Sequence, residues 1–167
     1  LLTLPIVATV WVWNARQRFE AAGCFSVGII LVSMPVLSLA SFGEIAQHVL
    51  SEFAVERLAA AFPDRLRCIA SIYGANMVTE AADSPHRVVG QVGCDSYFAC
   101  AEHDKWATPE QVATLQAALV DGQVPHRLEW YPGAHHGFAF PLRAGIYDKP
   151  SAERHWARLF ALFGRHL

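Results

Sequence analysis

Charge is scarce in this chain and absent from two long stretches of it. Lys, Arg, Asp and Glu make up 17% of the residues, against about a quarter in ordinary soluble domains. There is no Lys/Arg-rich run, and the formal net charge is −2. Nucleic acid is therefore not an expected partner, because phosphate binding needs clustered positive charge. Paired C-x-x-C spacing is also missing. Cys24, Cys68, Cys94 and Cys100 are widely separated, which argues against a zinc knuckle and against a disulfide scaffold. They read as buried or free thiols in a reducing compartment, so a cytoplasmic location is expected. No basic segment precedes the first apolar run, so no signal peptide is read. "GANMV" and "GQVG" lack the Lys and the strand–loop–helix setting of a phosphate loop. His103, His135 and His136 lack a carboxylate at helical ligand spacing, so no metal is expected.

What is present is enough apolar sequence, 53% over 167 residues, to bury one core. The expectation is a single domain over residues 1–167, with 1–43 standing apart in texture. Residues 1–13, "LLTLPIVATVWVW", and 21–43, "AAGCFSVGIILVSMPVLSLASFG", carry no charge. The second run is long enough to cross a bilayer, since about 20 apolar residues suffice. Buried strands, a membrane hairpin or anchor, and an aberrant segment foreign to the fold are the three readings. Pro35 and the interspersed Ser residues weaken a membrane helix, and "FSVGIILVSM" reads as a fully buried parallel strand. The chain begins at Leu1 rather than Met, so truncation at the N-terminus is expected.

Beyond residue 44 the pattern is regular. "AVERLAAAF" (54–62) reads as a helix halted before Pro63, and "RCIASIYG" (67–74) as a strand ending at Gly74. "DSYFACAEHD" (95–104) is a strand running into a polar loop. In "TPEQVATLQAALVDG" (108–122), Thr108 is the N-cap, Pro109 opens the helix and Gln111 completes a capping box. Val112, Leu115 and Leu119 form one apolar stripe, and Gly122 closes the helix. "HRLEWYPG" (126–133) is the next strand. In a last helix starting near Ser151, Trp156, Leu159, Phe160, Phe163 and Leu167 form a docking stripe. Strands alternating with helices predict an open, mostly parallel sheet with helices on both faces.

In such sheets functional residues collect at the C-terminal ends of the strands. Two loops have that position. One carries Glu102, His103 and Asp104, the other His135 and His136. Their strands are expected to be neighbours, which brings Asp104 within reach of the histidines across 32 positions of sequence. A carboxylate that fixes an imidazole tautomer, so that the other ring nitrogen can take a proton from a nucleophile, is the working pair of a hydrolase. Read singly, each loop is equally an ordinary polar surface.

Five stretches together resemble the dienelactone hydrolase family of α/β-hydrolases: "FPDR", "SIYGANMVTEAADSPH", "YFACAEHDKWATPEQV", "EWYPGAHHGFAFP" and "YDKPSAERHWARLFALF". The resemblance implies an α/β-hydrolase-like fold and hydrolysis of lactones or related esters (carboxymethylenebutenolidase-like activity) through a Cys-His-Asp triad without a cofactor. It implies Asp104 as the acid and His136, directly before "GF", as the base, with His135 a bystander. Lactone-cleaving members carry a basic residue where this chain has Phe140, with Arg143 only nearby. That substitution argues against substrates bearing a carboxylate.

The family's nucleophile elbow is not matched. The aligned positions fall near Val49 and Leu50, which are poor residues for a tight strand-to-helix turn. Ser51 is the weak candidate nucleophile, reading equally as an N-cap. Cys24 has the wrong spacing and reads as a core thiol. The expected partner is a small-molecule ester or lactone. The alternative is a catalytically inactive homologue, acting as a binding protein or arising as a degenerate gene product. The oligomeric state is not specified by the sequence.

Overall fold

The computed structural model describes residues 6–11, 27–34, 55–64 and 66–166. Five strands form one sheet in the order β1 (Ile6–Trp11), β2 (Val27–Met34), β3 (Leu66–Ile72), β4 (Asp95–His103) and β5 (His126–His135). β3, β4 and β5 run parallel, while β1–β2 and β2–β3 pair antiparallel. The helices are α1 (Val55–Ala61), the short α2 (Pro85–Val88), α3 (Pro109–Asp121) and α4 (Lys149–His166). The expected α/β fold is present, with helices on both faces of a sheet whose β3, β4 and β5 are parallel.

One expectation is corrected. β2 forms within the apolar run as anticipated, but it pairs antiparallel to β3, Val27 lying opposite Ile72. A continuous β-branched run specifies an extended, buried strand. It carries no information about direction, because either ladder satisfies the backbone. The middle of the uncharged 21–43 run is thus strand, and no helix among the described residues is long and apolar enough to cross a membrane.

The sheet separates two cores. Ile69, Phe98 and Cys100 point to the side covered by α1 and α3, where Ala59, Leu115 and Leu119 meet them. Cys68, Ala70, Tyr97 and Tyr131 point to the side covered by α4, against Leu159 and Leu162. Helix α3 follows its sequence signals closely. The Thr108 hydroxyl accepts from the Gln111 amide at 3.4 Å, and the Gln111 side chain accepts from the Thr108 amide at 3.0 Å. Such a cap is worth about 1 kcal/mol. Gly122 ends the helix with an ordinary negative φ, so its lack of a side chain serves a close approach. A Cβ there would lie 2.5 Å from the Gly90 Cα. At the start of α1, Glu56 is buried, and burial pushes its carboxyl above the usual range.

Helix α4 begins two residues earlier than Ser151, with the Asp148 carboxylate accepting from the Ser151 amide at 3.2 Å. Its core face is Ala152, His155, Leu159 and Leu162, spaced three and four apart. Trp156 and Phe163 flank that face, but Phe160 is 67% exposed, which corrects its assignment to the stripe. It sits one residue, about 100°, past Leu159, on the solvent side of the helix. Arg165 (2.7 Å) and His166 (3.1 Å) both reach the Asp95 carboxylate, tying the end of α4 to the start of β4.

Candidate active site

Because β4 and β5 are parallel neighbours, the residues that follow them emerge on one edge of the sheet. Asp104 leaves β4 there and His136 leaves β5, and the His136 amide donates to the His103 carbonyl at 3.3 Å. Their side chains meet: Asp104 Oδ2 lies 2.7 Å from His136 Nδ1. The other carboxylate oxygen accepts from the Trp106 amide at 2.9 Å. Neither group sees much water, the Asp104 side chain being 0% exposed and that of His136 4%. An ionised carboxylate only accepts, so Nδ1 carries the proton in this pair and Nε2 is the basic nitrogen. At low dielectric a hydrogen bond of this kind is strong, and breaking one partner away is costly.

The approach to His136 is shaped by an irregularity in the β4–β5 ladder between Ala101 and His103. Ala101 pairs with Tyr131, but His103 pairs with His135, so β5 spends extra residues on the same advance. Gly133 sits in this bulge at φ +71°, a conformation that suits glycine. Its amide donates to the Glu102 carboxylate at 2.6 Å. Glu102 is thereby a fastener of the bulge. On β5 and just beyond it, Tyr131, Ala134, His136 and Phe138 are buried, while Pro132, Gly133 and His135 are exposed. His135 packs against His103 at the rim, the rings tilted by 38° with centroids 4.8 Å apart.

Aromatic rings wall the imidazole. Trp106 lies 4.6 Å from it between centroids, and Tyr73 meets it edge-on at 5.2 Å. Tyr73, directly after β3, holds a φ of +41° with its amide donating to the Ala99 carbonyl at 2.7 Å. A positive φ on an aromatic residue costs of order 1–3 kcal/mol and persists only where packing enforces it. Tyr73 also packs on Phe138 and Phe140. Burial pushes its phenol up, partly offset by the charge of Arg143.

Asp104 and His136 are therefore brought together, and His135 is turned away. Ser51, Cys24 and the elbow positions Val49 and Leu50 lie outside the described residues. Among the described residues the free thiols are buried: burial pushes Cys68 and Cys100 up to about 12 and Cys94 up to about 11. They are core groups, as their low thiolate content requires. Sequence reasoning passed over Trp106 and Tyr73. The signal for Tyr73 was an aromatic at a strand end before Gly74; Trp106 stands two residues past the acid, in reach of an Asx-type turn.

The sequence pattern of the dienelactone hydrolase family matches residues 52–167. No curated protein matches the chain. Among solved structures, a protein from Klebsiella pneumoniae subsp. pneumoniae MGH 78578 assigned as a dienelactone hydrolase is similar at a TM-score of 0.57 and 21% identity, covering 65% of this chain and 48% of its own. The chain thus spans about half the length of that relative. A dienelactone hydrolase-like promiscuous phosphotriesterase from metagenomic libraries is similar at a TM-score of 0.57 and 16% identity, covering 90% of this chain and 78% of its own. These likenesses identify the fold, and the family match, running through more than half of the sequence, goes further: the chain belongs to the dienelactone hydrolase family.

Proposed function

We propose that this protein hydrolyses small, uncharged esters or lactones, with His136 as general base and then general acid and Asp104 as the group that orients it. The observation that supports this reading is the water-excluded 2.7 Å contact between Asp104 Oδ2 and His136 Nδ1, with the second carboxylate oxygen held by the Trp106 amide. Nε2 takes the proton of an attacking hydroxyl or thiol, and Asp104 stabilises the imidazolium that results. Nε2 then returns the proton to the departing alkoxide, and a water attacks the acyl group by the same route in reverse. Ser51 is the hydroxyl the sequence offers as nucleophile, and no cofactor is needed. The preference for uncharged substrates rests on Phe140, which packs with Tyr73 beside the imidazole.

The test is hydrolysis of p-nitrophenyl acetate by the wild type and by His136→Ala and Ser51→Ala. A rate that falls to background in His136→Ala supports the reading, and loss in Ser51→Ala assigns the nucleophile. Equal background rates in the wild type and His136→Ala remove the catalytic role and favour a binding protein that keeps the fold without the chemistry.

A further inference from the structure

We propose that Arg143 is a positioning residue that clamps the backbone of His136 and so fixes where the imidazole stands. This deepens, and in its kinetic part rests on, the hydrolase reading above. Arg143 Nη1 donates to the His136 carbonyl at 2.7 Å. The guanidinium reaches that oxygen by lying across Gly137, where a Cβ would sit 1.9 Å from Nη1 and 3.1 Å from Cζ. Gly137 is also at φ +85°. Two independent demands, a left-handed backbone and room for the guanidinium, therefore converge on the residue after the histidine.

The segment between them is a chain of tight turns. The Phe138 amide donates to the His135 carbonyl, Phe140 to Gly137, Arg143 to Phe140, and Tyr147 to Arg143. Each of these bonds is local; the Asp148 amide also reaches back to the Phe138 carbonyl at 3.0 Å, but none of them holds the His136 carbonyl. The Arg143–His136 bond spans seven residues and closes the far end of the turn onto its first residue. The same cation lies close enough to Tyr73 to bias its phenol, and Tyr73 is the ring set edge-on against the imidazole. The direct hold of Arg143 on His136 is the bond to its carbonyl. A planar fork is suited to this task, because its donors are pre-organised relative to one another.

The test compares the wild type with Arg143→Ala and Arg143→Lys. In the wild type, a low-field proton resonance is expected from His136 Nδ1–H against Asp104, identified by its absence in His136→Ala. Arg143→Ala is expected to broaden or shift that resonance while retaining the far-ultraviolet circular dichroism of the wild type. In ester hydrolysis kcat should fall about 10- to 100-fold, the cost of misplacing a reacting group by about 1 Å, with KM changed little. Added ethylguanidinium should restore part of the rate. Arg143→Lys, which keeps the charge and one donor, should be intermediate in both readouts, and it serves as the deciding variant if Arg143→Ala does not fold. An unaltered His136 resonance in the folded variants overturns the proposal. So does a rise in KM at constant kcat, which would make Arg143 a substrate contact. If the wild type shows no hydrolysis, the hydrolase reading fails, and the resonance alone decides the clamp.

Discussion

Asp104 holds His136 Nδ1 with one carboxylate oxygen and is itself held by the Trp106 amide through the other. Asp104→Asn can keep the amide bond from Trp106 while presenting an N–H to Nδ1. The imidazole must then move its proton to Nε2, and the basic nitrogen is lost. Ester hydrolysis should fall by about 10³- to 10⁴-fold, as the wrong tautomer does in triads of this kind, with little change in the circular dichroism spectrum. A loss of less than about tenfold would deny Asp104 its orienting role.

Cys68, Cys94 and Cys100 are buried, with their thiols pushed up to about 12, 11 and 12 by burial. In the native protein at neutral pH they should resist iodoacetamide for hours, then react within minutes in denaturant. Peptide mapping by mass spectrometry reads each cysteine separately. Rapid native labelling at Cys100 would contradict its placement in the core between the sheet and α3.

His155 offers a stability test. It is buried in α4 beside Phe138 and Trp156, and burial pushes its imidazole down to about 4. The unfolded chain takes up a proton near pH 6.5 and the folded protein does not. Stability from this group is therefore present above pH 6.5 and is lost as pH falls toward 4. The loss amounts to about 2 kcal/mol between pH 7 and pH 5. Urea unfolding at the two pH values should show that loss in the wild type and a smaller one in His155→Leu. Equal losses would mean that His155 accepts a proton in the folded state.

Much of this molecule could be read from local signals. The Thr108–Gln111 box and the Val112, Leu115, Leu119 stripe mark α3 because capping and helical period act within a few residues. Asp104 and His136 could be paired in advance because adjacent parallel strands carry their trailing loops to one edge. The direction of β2 could not, since a run such as Val27–Met34 suits either ladder. Phe160 was misplaced because an apolar residue one step off the true face still fits the stripe, and His155 was passed over because a histidine on that face gives no apolar signal. The contact of Arg143 with His136 depends on how a turn of seven residues folds back, and its one local trace is the glycine at position 137.

The bulge at Gly133 has a consequence for the pair of adjacent histidines. A strand turns alternate residues to opposite faces, so from Tyr131 a regular β5 would bury positions 133, 135 and 137. The observed pattern instead buries 134 and 136 and exposes 133 and 135, and beyond the strand 137 and 138 are both buried. The bulge sets three residues of β5, Pro132 to Ala134, against Glu102 alone, and, stapled by the Glu102 carboxylate, it shifts the phase of burial after it. In a strand that kept its alternation from Tyr131, His135 would be the imidazole turned inward and His136 the one at the rim. Which histidine faces the acid is a matter of parity along the strand, and the chemistry of the two side chains plays no part in the choice.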